Sequence, residues 1–210
     1  MNINELHIIF LSLKVALLAT LFNLPFVLVF GWLLARKQFF GKIILEGILH
    51  IPLVLPPVTI GYLLLMIFGV KGILGNILFE LFDIRIAFSF AAALLASMAV
   101  SFPLALRSVK TAFEMIDQQL ETASMILGNN FWQSFLKVSM PLAFPGIMSG
   151  LVLSFARCMG EFGATITFAG NIPGETQTLP LAIYSYLQTP NKDAETMRLV
   201  LASALLSLIA

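Results

Sequence analysis

Apolar residues in this chain gather into long runs separated by short polar stretches, with no sustained alternation. One run spans Ile8 to Ala35 and carries Lys14, Asn23 and Pro25; others span Ile43–Phe68, Ile86–Leu106 and Met140–Phe168, and a fifth begins at Leu199. A bilayer core takes about 20 apolar residues per spanning helix, whereas barrel strands read as alternating segments of about 10 residues. The pattern predicts an all-α membrane protein, a helical transmembrane bundle forming a single domain over 1–210. The first run is too long and unbroken for a cleaved signal peptide and reads as a retained span, with Lys14 placed to snorkel. The fifth run reaches Ala210 after a dozen residues, so either the chain is truncated or its last span is only partly present.

Breakers refine this picture. Pro52, Pro56 and Pro57 interrupt the second run, and proline removes a backbone donor and clashes with the preceding turn. A kinked or broken helix is expected over 43–68. Freed backbone at membrane depth belongs in a protein-lined or watery place, which makes Pro56, Pro57 and nearby Thr59 candidates for a pathway wall; a kink that only shapes packing is the alternative. Gly69–Arg85 is a mixed-charge connection with a short apolar stretch that lies along the surface. Gly146 and Gly150 have small-xxx-small spacing, suited to a close helix crossing. Asn171–Arg198 reads as a second polar connection with Pro173, Gly174, Pro180 and Pro190 as breakers. Arg36, Lys37, Lys42, Arg107, Lys110 and Lys137 fall in the first and third connections, against Lys71, Arg85, Lys192 and Arg198 in the others. The positive-inside rule then puts the N-terminus outside and residues 107–139 in the cytoplasm.

That insert has its own pattern. Val109, Phe113, Ile116, Leu120 and Ala123 recur at steps of three and four, one face of a helix, with Glu114, Asp117, Gln118 and Glu121 opposite. Gly128-Asn129-Asn130 ends the helix, a second short helix carries Phe131, Phe135 and Val138, and Pro141 marks entry to the next span. The helix–turn–helix presents Phe131 and Trp132 beside its turn. Such an aromatic tip suits a groove on a soluble partner; the other reading is an interfacial hairpin covering the ends of the bundle.

Composition agrees with a membrane protein: 59% hydrophobic and 11% charged residues, with a mean hydropathy of +0.97. A net charge of +1 gives no footprint for nucleic acid. The lone Cys158 excludes a disulfide within the chain, and His7 and His50 stand far apart without acidic partners at metal-ligand spacing. There is no G-x-x-x-x-G-K-[ST] loop and no nucleophile–base pattern. The chain is read as no enzyme, with no cofactor and no metal, and any ATP-driven motor would sit on another polypeptide. Inside the fourth run, Arg157 and Glu161 are four residues apart and able to pair. Arg157 would bias a path toward a divalent oxyanion, or the pair would break and reform in gating, or it would fix the helix against its neighbours; Glu161 alone would repel an anion. Thr59, Ser101, Ser154, Thr165 and Thr167 are hydroxyls available to an anion.

From Thr122 to Pro141 the chain resembles the cytoplasmic motif of ABC importer permeases: Glu-Ala-Ala, three residues, Gly, nine residues, then Ile-x-Leu-Pro. Here the sequence is Thr122-Ala123-Ser124, three residues, Gly128, nine residues, then Val138-Ser139-Met140-Pro141. The acidic first residue is missing at Thr122, and Glu121 stands one position earlier. Pro52-Leu53-Val54-Leu55-Pro56-Pro57, Gly160-Glu161-Phe162-Gly163-Ala164-Thr165 and Asn171–Tyr184 are similar to the permeases of molybdate importers, with sulfate permeases related. The resemblance implies a type I importer fold and a coupling element formed by Glu121, Thr122, Ala123, Gly128, Phe131, Trp132 and Pro141. It further implies a homodimer in the inner membrane lipid, two cytoplasmic ABC ATPase subunits, and an external substrate-binding protein delivering molybdate or tungstate. Pro56, Pro57, Thr59, Arg157, Glu161 and Thr165 would belong to the pathway or its gate. A sulfate permease is the nearest rival. An ATP-independent secondary anion transporter, built around Arg157 and Glu161, is the rival of another class.

Overall fold

The computed structural model describes residues 3–209, with side chains through Leu206. Its elements in order are α1 (Ile3–Arg36), α2 (Lys42–Val54), α3 (Pro57–Phe68), α4 (Ile73–Phe82), α5 (Phe90–Glu114), α6 (Gln118–Ile126), α7 (Phe131–Ser134), a π-helical turn (Phe135–Ser139), α8 (Met140–Met159), α9 (Gly163–Phe168), α10 (Leu179–Leu187) and α11 (Asp193–Ile209). Among the described residues, α1, α5 and the continuous stretch Phe131–Met159 are long and apolar enough to cross a membrane.

These three helices form the centre. Small residues bring their backbones together: a Cβ on Gly31 would lie 2.8 Å from Val109 Cγ1, and one on Gly146 would collide with Ala112 Cβ. Gly146 and Gly150 thus pack on α5, and Ser108 Oγ donates to Gly146 O at 3.0 Å. Around that seam Val27, Ala105, Val109, Phe113, Ala143 and Ile147 make one buried cluster. A second joins α1 and α5 to α3 and α9 through Val15, Ile60, Ala96, Ala164 and Phe168. Polar groups in the bundle are tied locally: Asn23 Nδ2 donates to Met98 O (3.0 Å) and Ser101 Oγ (3.1 Å).

Prolines act unequally. Pro25, Pro52, Pro103 and Pro145 sit inside continuous helices. Only the Pro56-Pro57 pair breaks one, bending α2 against α3 by 114°. A residue before proline is pushed out of the helical region, so Leu55 (ψ 142°) and Pro56 (ψ 135°) are both extended, and Pro57 then opens α3 as a favoured first-turn residue.

Four sequence-based boundaries need correction. The span expected over Met140–Phe168 stops at Met159; Gly160, Glu161 and Phe162 separate α8 from α9. The insert expected over 107–139 has no separate first half, because 107–114 complete α5. The helix expected across Val109–Ala123 is divided at Met115–Asp117, where Asp117 caps α6 by accepting from Gln119 N–H at 2.9 Å. The connection Asn171–Arg198 is largely ordered helix: Leu179–Leu187 and the first turns of α11 lie within it. Its turn is buried at Thr176, Gln177 and Thr178, and Leu179 N–H donates to Ser12 Oγ of α1 at 2.7 Å. Reading the segment as a polar connection broken at Pro173, Gly174, Pro180 and Pro190 misses that burial.

Candidate functional site

The insert is a rigid device made by local capping. At the end of α6, Gly128 adopts φ +95°. Its N–H bonds Met125 O (3.0 Å) while Asn129 N–H bonds Ser124 O (3.2 Å), the paired closure of a Schellman turn. A Cβ at Gly128 would meet nothing within 4 Å, so glycine is required there by backbone geometry alone. Asn130 and Gln133 then cap each other reciprocally at 2.9 and 3.0 Å, starting α7. From there the helix runs without interruption into α8. The π turn ends where Met140 N–H reaches Phe135 O, and Pro141 stands in the first turn of α8.

Glu121 points inward. Its Oε1 accepts from Arg36 Nη2 at 2.9 Å and from Ser139 Oγ at 2.7 Å, and its carbonyl accepts from Ser134 Oγ at 3.2 Å. Arg36, with its side chain only 5% exposed, also donates Nη1 to Ile116 O at 3.0 Å. The end of α1, the α5–α6 turn, α6 and the π turn therefore meet at the Arg36–Glu121 pair.

The amphipathicity of α6 is reversed relative to an ordinary surface helix. Ser124 is its buried residue and Glu121 its anchor, while Leu120, Met125, Ile126 (80% exposed) and Leu127 (84%) face outward. Thr122 and Ala123 are on the exposed side as well. The aromatic pair divides: Phe131 packs edge-on against Trp32 of α1 at 5.4 Å, and Trp132 stays exposed beside it. The outward apolar tip is thus Ile126-Leu127 together with Trp132. Sequence reading passed over Ile126 and Leu127, although two large apolar residues at a glycine-capped helix end are a visible signal. Nothing in the sequence pairs Arg36 with Glu121, 85 positions away.

The remaining candidates lie at the two helix breaks. Glu161 (2% exposed) meets Arg157 Nη1 at 2.7 Å through Oε2, and its Oε1 accepts from Ala164 N–H at 2.8 Å, capping α9. Both carboxylate oxygens are thereby engaged within the protein. α9 lies along α3 through glycine: a Cβ on Gly163 would fall 2.9 Å from Pro57 Cβ, and one on Gly61 would fall 2.6 Å from Ala164 O. The breaks at Pro56 and Glu161 are therefore side by side. Of the candidate hydroxyls only Thr59 is exposed; Ser101, Ser154 and Thr165 are buried, and Thr167 Oγ1 donates to Gly163 O at 2.9 Å.

Residues 27–210 match the family model described as the inner membrane component of binding-protein-dependent transport systems. The chain belongs to this family. The permease is 50% identical over 206 residues to the molybdenum transport system permease protein ModB of Haemophilus influenzae, covering 98% of this chain and 90% of that one. To the sulfate transport system permease protein CysT of Escherichia coli it is 35% identical over 201 residues, covering 95% of this chain and 72% of that one. A bacterial alginate ABC transporter, solved in complex with an alginate-pentasaccharide-bound periplasmic protein, shares the fold at a TM-score of 0.77 and 16% identity, covering 100% of this permease and 76% of that chain. The permease is a multi-pass helical membrane protein of the importer type.

Proposed function

We propose that this permease forms, as a homodimer, the membrane pathway of an ATP-driven importer of molybdate or tungstate. The observation that carries the substrate is the 50% identity to a molybdenum permease across nearly the whole chain, against 35% for a sulfate permease. Membership of a binding-protein-dependent family supports an external binding protein and a separate ATPase over ATP-independent transport.

In this reading the N-terminus is outside and the insert is cytoplasmic. The outward apolar tip Ile126-Leu127 and Trp132 seats in the ATPase, since exposed apolar side chains of this size on a capped, rigid turn are what a protein partner covers. ATP-driven closure of the ATPases moves α6. The Arg36–Glu121–Ser139 junction passes that displacement to the end of α1 and the base of α8. The helices then turn the pathway from inward- to outward-facing, and the binding protein releases the oxyanion into it. Glu161 is a structural cap and ion-pair partner in this scheme, and Arg157, about a third exposed, remains the cation of the pair that a passing anion can approach. Thr59, beside the proline break, lines the path.

Reconstitution in vesicles tests the proposal. Labelled molybdate should accumulate when the permease is present with its ATPase, its binding protein and ATP, and uptake that persists without the ATPase would contradict it.

A further inference from the structure

A polar cleft lies between α2 and α5, away from the coupling element and from the Arg157–Glu161 pair. It encloses about 470 Å³ and is lined by Glu46, His50, Arg107, Lys110, Thr111 and Glu114. Within it Lys110 is held by Glu46 in a short ion pair and by Glu114 at 3.6 Å, and His50 Nδ1 donates to Glu46 O at 2.7 Å. Arg107 is exposed in the cleft, and no carboxylate pairs with it among the described residues.

Its depth matters. From Phe90 to Arg107 the rise of α5 is about 26 Å at 1.5 Å per residue, close to the ~30 Å of a hydrocarbon core. Arg107 therefore sits near one edge of the membrane, on the side of the coupling element. Arg107, Thr111 and Glu114 follow each other at helical spacing on the exposed face of α5, with Arg107 at the membrane edge and the other two beyond it, where water reaches the cleft. The facing stripe of α2, Glu46 and His50, continues through Val54 toward the Pro56 break. The cleft opens between α2 and α5 on the side of the coupling element.

We propose that this cleft is an exit site for a tetrahedral oxyanion, with Arg107 as its cationic contact. The inference rests on the reading of the permease as an oxyanion importer and adds the place where the anion leaves. Two carboxylates face two cations, so the cleft is neutral overall, and Arg107 is the cation left without a carboxylate partner among the described residues, able to contact an anion without trapping it. An anionic lipid headgroup resting in the cleft is the other source of this chemistry.

The test uses the assembled complex in nanodiscs and a cysteine in the cleft, Thr111→Cys, with Gly47→Cys as a second reporter where a new Cβ meets nothing within 4 Å. The native Cys158 is buried. An anionic thiol reagent should modify either cysteine about threefold to tenfold faster, relative to a cationic reagent of similar size, than it does after Arg107→Gln; Arg107→Lys should keep the preference. Sodium molybdate should slow the reaction. Slowing by sulfate but not molybdate supports the exit site and refutes molybdate as the substrate. An anionic preference unchanged by Arg107→Gln, or one that neither oxyanion slows, overturns the inference. So does a preference that anionic lipid abolishes and neutral lipid restores, since a headgroup would then be the occupant.

Discussion

At the scale of single residues, glycines carry most of what cannot be replaced. Gly128 needs its positive φ but has open space around it, so Gly128→Val should cost roughly 1–2 kcal/mol of local order while Gly128→Asn, which tolerates that conformation, should cost less. Protection of the α6 amides from hydrogen exchange measures the difference. Gly61 is the opposite case, limited by space: Gly61→Val would drive a side chain into Ala164 and Thr167 and part α3 from α9, costing about 1–3 kcal/mol, seen as a lower melting temperature of the complex. Glycine–proline spacing was legible as a motif in the sequence, but which glycine answered to backbone conformation and which to a neighbour was not. That distinction depends on contacts between residues some hundred positions apart.

The insert's junction illustrates the scale of the element. Arg36 is buried beside Glu121, and breaking such a pair by removing one partner leaves an uncompensated charge worth about 3–5 kcal/mol. Glu121→Ala and Arg36→Ala should each uncouple ATP hydrolysis from uptake while the ATPase stays bound, and the double variant should be little worse than either single one, because both act through one contact. Ile126→Ser with Leu127→Ser should behave differently: ATPase association falls at least tenfold, read by co-purification, with the helices undisturbed. Hydropathy made the helix–turn–helix visible, and its Gly128 and Pro141 spacing gave its kinship. Periodicity misassigned its faces. The apolar positions Val109, Phe113 and Ile116 belong to the buried end of α5 and the turn after it, whereas Leu120 and Ala123 of α6 face out. Asp117 resets the helix between the two groups, and a pattern carried across that cap takes two faces for one.

For the whole molecule, the long apolar runs disclosed an all-helical membrane protein because bilayer thickness dictates run length directly. The broken helices were only half legible. Tandem prolines announced the break at Pro56, but the break at Gly160–Phe162 lies within an apolar run and is held by the Glu161 carboxylate capping the next helix, a contact sequence spacing records as a simple pair. Two breaks placed side by side, a polar cleft between α2 and α5, and an insert lashed to α1 are the features on which the proposed pathway, opened and closed from the insert's side, is built. The measurement that tests this most directly is ATP hydrolysis by the reconstituted complex with its binding protein loaded with either oxyanion. Molybdate-loaded protein should stimulate hydrolysis, and the Ile126→Ser, Leu127→Ser variant should abolish the effect. Stimulation by the sulfate-loaded protein alone, or stimulation that survives the loss of the apolar tip, would contradict the account.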